Sequence, residues 1–139
     1  MENTLLMLDL MRAFYWFEDG LRSRLAALGW TNVTRSQSLV LTNIANGVTR
    51  ASHIAANLGV SRQAMSQLLG EMIAGGLVEV EPDPADRRAQ RVQFAPAGEG
   101  IREAAQKILR DLEREMERGV GKSRMDGLRV ALRSVPAAD

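Results

Sequence analysis

Residues 52–91 read SHIAANLGVSRQAMSQLLGEMIAGGLVEVEPDPADRRAQR, and this stretch decides the fold. It opens with two short helical patterns, 51–58 and 62–74, separated by Gly59-Val60-Ser61. A helix-turn-helix needs a small residue where its second helix crosses the first, and Ala55 serves. Four positions later it needs a residue that tolerates positive φ, and Gly59 serves. Val60 is expected to plug the corner between the helices. Ser61 is expected to cap the second helix by accepting from its free backbone N–H groups. Ala64, Leu68 and Met72 form the predicted inward stripe of that helix, with Met65 and Leu69 beside it. Its opposite, early face carries Arg62, Gln63, Ser66 and Gln67, which are polar, not acidic, and shaped for base edges.

After Gly75-Gly76 the period changes to two. Leu77-Val78-Glu79-Val80-Glu81 and Arg91-Val92-Gln93-Phe94 each alternate as half-exposed strands do. Between them Pro82-Asp83-Pro84-Ala85-Asp86-Arg87-Arg88 reads as a loop, because proline cannot donate into a ladder and fixes its own φ. Strand, charged loop and strand after a recognition helix make a wing. Arg87 and Arg88 suit an adjacent minor groove, where negative potential favours arginine. Asp86 is the expected ion-pair partner of one of them, leaving the other for DNA. A plain turn with a surface ion pair worth at most ~1 kcal/mol is the simpler alternative.

If the segment binds duplex DNA, the first half of the second helix enters the major groove. Arg62 suits guanine, and Gln63 or Gln67 suits adenine. Ser61 and the helix N-terminus favour a phosphate.

Upstream, residues 4–28 read as a helix with an unusually wide apolar surface. Leu10, Phe14, Phe17, Leu21, Leu25 and Leu28 recur at spacings of three and four. Leu6, Met7, Met11, Tyr15 and Trp16 cover much of the remainder of its first half. A helix apolar on most sides must be buried on most sides, and a second copy of the chain would supply the missing cover. Five of the six aromatic residues lie between Phe14 and Trp30. They fit a packed core and dimer seam, or the lining of a small-molecule pocket with Trp16 and Trp30 as ligand contacts. Gly29 fits the helix stop. A second helix is predicted over 36–46, with Ser36 as its cap and Leu39, Val40, Ile44 and Ala45 inward.

Downstream, Pro96 is expected to start a long helix with the stripe Ile101, Ala105, Ile108, Leu112 and Met116. Glu103 and Lys107 form its expected outer pair. Gly119 and Gly121 break it. A last helix places Met125, Leu128, Leu132 and Val135 inward.

The chain has 139 residues, enough for one domain with a real core. Its formal net charge is +1, and residues 50–92 carry five Arg against five Asp or Glu. A DNA-binding face must therefore rest on placed residues, not on an excess of charge. There is no cysteine, which excludes disulfides, thiolate metal sites and Cys nucleophiles. His53 is the single histidine, so one chain cannot build a multi-histidine metal site. No cofactor is expected. The apolar run from Leu5 to Phe17 is too short to span a membrane and is interrupted by Asp9 and Arg12. Glu2 precedes it with no Lys or Arg, unlike a signal peptide. The expected location is the cytoplasm.

Residues 83–98, DPADRRAQRVQFAPAG, resemble the wing signature of the MarR family of bacterial transcriptional regulators. In that family an Asp-Pro-x-Asp-Arg-Arg loop leads to a strand, a Leu-Thr pair and a glycine. Asp83, Pro84, Asp86, Arg87, Arg88 and Gly98 match. Phe94-Ala95 replaces the Leu-Thr pair, which removes a hydroxyl cap that Pro96 is expected to offset. Residues 52–75 also resemble the family's DNA-binding helices, and the helix order agrees along almost the whole chain.

The resemblance implies a mainly α fold with a small β-hairpin, a winged helix-turn-helix with N- and C-terminal dimerisation helices. Residues 1–30 and 97–139 would form the dimerisation helices and 34–95 the DNA-binding lobe of a single domain. It implies a homodimer on a pseudo-palindromic operator, usually a repressor, released by a small aromatic or carboxylate ligand. The DNA-binding residues would be Ser61, Arg62, Gln63, Ser66, Gln67, Arg87 and Arg88. The balanced charge of residues 50–92 leaves one competing reading, a winged-helix module for protein contacts without DNA. An enzyme is not expected: there is no phosphate-binding glycine loop, metal spacing or nucleophile-base set.

Overall fold

The computed structural model describes residues 3–136; Glu2 and the outermost residues of the 1–30 and 97–139 segments lie outside this range. The order is α1 (Leu6–Ala27), α2 (Arg35–Ala45), α3 (Ala51–Leu58), α4 (Arg62–Ala74), β1 (Val78–Asp83) and β2 (Asp86–Phe94). A 3-10 turn (Pro96–Gly98), α5 (Glu99–Val120) and α6 (Lys122–Arg133) follow. The architecture is mainly α with one antiparallel hairpin, a winged helix-turn-helix.

The helix-turn-helix forms as its sequence dictates. Ala55 is buried, Gly59 takes φ +69°, and the Ser61 hydroxyl accepts from the Ala64 N–H at 3.1 Å. Two expectations fail here. Val60 is 37 % exposed and does not fill the corner. The buried stripe of α4 is Met65, Leu69 and Met72, while Ala64 faces solvent and Leu68 is half-buried. Two apolar series one residue apart run along this helix, and the one that starts with the larger Met65 rather than Ala64 takes the core.

The cap of α2 is Thr34, not Ser36. Thr34 and Gln37 form a reciprocal capping box, which satisfies two free N–H groups and starts the helix one residue early. Ser38, Val40, Leu41 and Ile44 are its buried residues; Leu39 and Ala45 are half-buried.

The hairpin is longer than predicted, and its turn is only Pro84-Ala85. Pro82 lies in β1 opposite Gln90, followed by a register shift at Asp83. Val92, opposite Val80, turns its N–H outward to Thr49, so by the alternation of the ladder the Pro82 nitrogen also lies on the outer side and costs no cross-strand hydrogen bond. Val78, Val92 and Phe94 enter the core. Their outward neighbours pair across the strands: Gln93 Nε2 donates to Glu79 Oε1 at 2.7 Å, and Arg91 Nη2 to Glu81 Oε1 at 2.6 Å. β2 also reaches back, since the Val92 N–H donates to the Thr49 carbonyl at 2.7 Å.

Pro96 opens the 3-10 turn, and α5 starts at Glu99 without a side-chain cap. Gly98 is required by packing. A Cβ there would lie 2.5 Å from the Leu77 carbonyl oxygen. Ile101, Ala105, Ile108 and Leu112 are buried and Met116 is half-buried. Gly119 stays inside α5, and Gly121 alone ends it, at φ +92°. Lys107 pairs with Asp111 at 2.7 Å, not with Glu103.

One core joins α1 to α5 and the hairpin. α1 crosses α5 closely at Gly20, where an added Cβ would meet Leu112 Cδ2 at 2.9 Å. Within this chain only Leu21 and Leu25 of the predicted α1 stripe are buried; Phe17 is half-buried and Leu10, Phe14 and Leu28 are exposed. On α6 only Met125 is buried; Leu128 and Leu132, and Val135 just beyond the helix, face outward. No helix among the described residues is long and apolar enough to cross a membrane.

Candidate nucleic-acid interface

The exposed start of α4 carries Arg62, Gln63, Ser66 and Gln67 together on its outer side. Met65 and Leu69 hold the opposite side in the core, so those four side chains cannot rotate inward. Ser61 spends its hydroxyl acceptor on the cap.

Two aspartates shape the wing. The Asp83 carboxylate accepts the Ala85 N–H at 2.8 Å and Arg50 Nη2 at 3.1 Å. That backbone hydrogen bond and then Arg50 hold its pKa below the usual carboxylate range. Asp86 Oδ1 accepts the Arg88 N–H at 3.1 Å. Asp86 therefore braces the backbone and does not form the expected ion pair with Arg87 or Arg88. Both arginines are exposed, and among the described residues neither they nor Arg62 forms an ion pair. The arginines that hold the wing are Arg50, bound to Asp83 beside the turn, and Arg91, bound to Glu81 midway along the hairpin, and the sequence reading missed both. Arg50 stands opposite Arg91 in a β-bridge, a pairing with no local signature.

A cavity of about 410 Å³ lies among α1, α2 and α5. Phe14, Phe17, Leu21, Leu39 and Leu109 make its apolar walls. Glu18, Arg110 and Glu113 supply its charged groups. Glu113 is engaged by Arg129 of α6 at 2.9 Å, whereas Arg110 has no ion-pair partner among the described residues. Neither Trp16 nor Trp30 belongs to this lining. Trp16 is 42 % exposed and meets the Phe17 ring edge-on. Trp30 is half-buried beside Gly100.

Among the described residues Glu18 is the one charged side chain in the core, 3 % exposed, and sequence reasoning passed over it. Its carboxylate accepts from Arg22 Nε and from Ser38 Oγ at 2.7 Å on one oxygen. The other oxygen accepts from Arg22 Nη2 at 3.0 Å and Arg35 Nε at 2.9 Å. Burial pushes its pKa up, but the hydrogen bonds from Arg22, Ser38 and Arg35 outweigh burial and hold it at about 2.

Residues 31–89 match the sequence profile of the MarR family. The winged helix of this chain is thus similar to that of the MarR family. The matched segment runs from the loop before α2 to the wing, so it contains the whole helix-turn-helix. No curated protein matches the chain by sequence. Solved structures share the fold over nearly the full length. Apo MarR from E. coli is 22% identical with a TM-score of 0.67, covering 99% of this chain and 100% of that one. CouR, a transcriptional repressor bound to a 23-mer DNA duplex, is 22% identical with a TM-score of 0.69, covering 94% and 91%. NadR in complex with 4-hydroxyphenylacetate is 19% identical with a TM-score of 0.77, covering 96% and 93%.

Proposed function

We propose that this chain is a transcriptional regulator that binds duplex DNA as a homodimer and acts as a repressor on a pseudo-palindromic operator. The observation that carries this reading is the unpaired set Arg62, Arg87 and Arg88, displayed with Gln63, Ser66 and Gln67 on the exposed start of α4 and on the wing. Arg62 and the glutamines read base edges, Ser61 and the α4 N-terminus meet a phosphate, and the wing arginines enter the minor groove. The DNA-bound state of CouR supports the same use of the fold here.

Residues 34–95 form the DNA-binding lobe, and 1–30 with 97–139 form the dimerisation helices. Exposed Leu6, Met7, Leu10 and Met11 on α1, Leu128 and Leu132 on α6, and Val135 just after it support this division. A helix such as α6, with one buried residue, needs cover from another chain. Two-fold symmetry sets the two α4 helices about one DNA turn apart, ~34 Å.

The effector is a small aromatic carboxylate held in the cavity, its ring against Phe14, Phe17 and Leu39 and its charge toward Arg110. The ligand of NadR supports this class. Trp16 touches this site only through its edge-on contact with the wall residue Phe17, and Trp30 only through Gly100 at the start of α5.

The test is fluorescence anisotropy on duplex DNA from the chain's own promoter region, with and without 4-hydroxyphenylacetate. The expected result is saturable binding, weakened by the acid through a coupling of ~1–3 kcal/mol. Binding that ignores this and other aromatic acids would leave a regulator without the sensor. No binding, with Arg62→Ala and Arg88→Ala indistinguishable from the native chain, would favour the protein-contact module.

A further inference from the structure

Glu18 lies on the buried side of α1, between Phe17 and Leu21, where its neighbours are apolar. A well-packed leucine would stabilise such a position as well as a buried ion pair does. What a carboxylate adds is direction, and here that direction is fully used. Two of its donors, Arg22 Nε and Nη2, come from α1 itself. The other two, Arg35 Nε and Ser38 Oγ, come from the first turn of α2. Asp19 takes a second nitrogen from each arginine at 2.9 Å, and the Arg35 guanidinium lies 4.5 Å over the Tyr15 ring. Glu18, Asp19, Arg22 and Arg35 therefore form a closed group of zero net charge that joins two helices.

Those same helices face each other across the cavity. Phe14, Phe17 and Leu21 of α1 oppose Leu39 and Thr42 of α2, and Glu18 is part of the wall. A guest entering there separates the helices that Glu18 ties. α2 in turn packs on α3 and α4, so its angle is passed to the exposed face of α4.

We propose that Glu18 is a positioning residue: from the wall of the cavity, through Arg35 and Ser38, it sets the angle of α2 and hence of α4 relative to α1. The second carboxylate of the cavity, Glu113, faces the other way and holds α6 through Arg129. Among the described residues, the Glu18 group is the one set of ion pairs that connects the cavity wall to the winged helix.

The chain has no cysteine, so two introduced cysteines are unique labelling sites. Spin labels at Ser23→Cys on α1 and Glu71→Cys on α4, both exposed, report the distance between these helices. Labelled chain is diluted with unlabelled chain so that one pair is read at a time. Arg35→Met, Ser38→Ala and Glu18→Gln are compared with Arg24→Met. That control breaks a 2.7 Å ion pair from α1 to Glu115 of α5 without touching α2. The expected result is a distance distribution about two-fold broader, or displaced, in Arg35→Met and Glu18→Gln, and unchanged in Arg24→Met. Should Glu18→Gln not fold, Arg35→Met decides, since the Arg35 side chain is part-exposed. Unchanged distributions accompanied only by a lower Tm would reduce Glu18 to a stabilising contact and overturn the proposal. An equal change in Arg24→Met would overturn it too. The measurement uses no DNA, so a chain that fails to bind DNA but shows the displacement keeps the positioning role and loses the regulator reading.

Discussion

Arg50 Nη2 donates to Asp83 Oδ2 at 3.1 Å and so fastens the tip of the wing to the start of α3. The two residues lie 33 positions apart, and the contact fixes where Arg87 and Arg88 stand relative to α4. Asp83→Ala removes both this contact and the Ala85 N–H acceptor. The expected outcome is faster backbone motion at residues 84–88 in NMR relaxation and several-fold weaker DNA binding, with helix content unchanged. Native wing dynamics in the variant would show that the hairpin holds its place without Asp83.

The DNA-facing arginines should separate by their salt dependence. Arg62→Ala is expected to cost ~1–3 kcal/mol of affinity and to relax preference at one base position. A wing arginine that meets phosphate or the minor-groove potential should instead weaken all sequences alike. For a phosphate contact the slope of log K against log salt falls by about 1. Titrations of Arg62→Ala, Arg87→Ala and Arg88→Ala at several salt concentrations check this. Three identical profiles would contradict the division of roles.

Acid should loosen the α1–α2 junction through Glu18. Its pKa is lowered from 4.5 to about 2 in the folded chain, so its contribution is fully present above pH 4.5 and is lost as pH falls toward 2. The linked stability is on the order of 3 kcal/mol. Glu18→Gln should therefore be less stable than the native chain at pH 7, and the gap should close near pH 2. Denaturant unfolding at both pH values measures it. A gap that is constant with pH would mean that the charge of Glu18 contributes nothing.

Two glycines of the C-terminal half should respond in opposite directions to alanine. Gly98→Ala drives a Cβ to 2.5 Å from the Leu77 carbonyl oxygen, so backbone must shift. A loss of ~1–3 kcal/mol is expected. Gly119, inside α5, has nothing within 4 Å of an added Cβ, and Gly119→Ala should gain up to ~1 kcal/mol. Thermal unfolding of both variants checks the pair. A tolerated Gly98→Ala would mean that the junction of β2 and α5 is looser than described.

What could be read from the sequence was the local part. Gly59 and Ser61 announce the turn because one needs φ +69° and the other an N–H partner, and both demands are met within four residues. The α5 stripe was readable because only one face of it is apolar. The α4 stripe was not, since Ala64-Leu68 and Met65-Leu69 offer two faces and long-range packing chooses. Pro82 misled because proline argues against a strand only where the missing N–H is needed. Glu18 was unreadable for a different reason. An acidic pair such as Glu18-Asp19 in a helix looks like surface until Arg35 and Ser38, 17 and 20 positions from Glu18, are folded onto it. The MarR-like wing was legible from Asp83 to Arg88, but its bracing by Arg50 was not.

The central claim is that α4 and the wing read duplex DNA as one half of a two-fold assembly. Selection of bound sequences from random duplex DNA tests this most directly, because it reports binding, symmetry and spacing together. The account predicts enrichment of an inverted repeat with half-sites about one helical turn apart, ~34 Å between centres. No enrichment would contradict DNA reading by this chain, and a lone half-site would contradict the dimer.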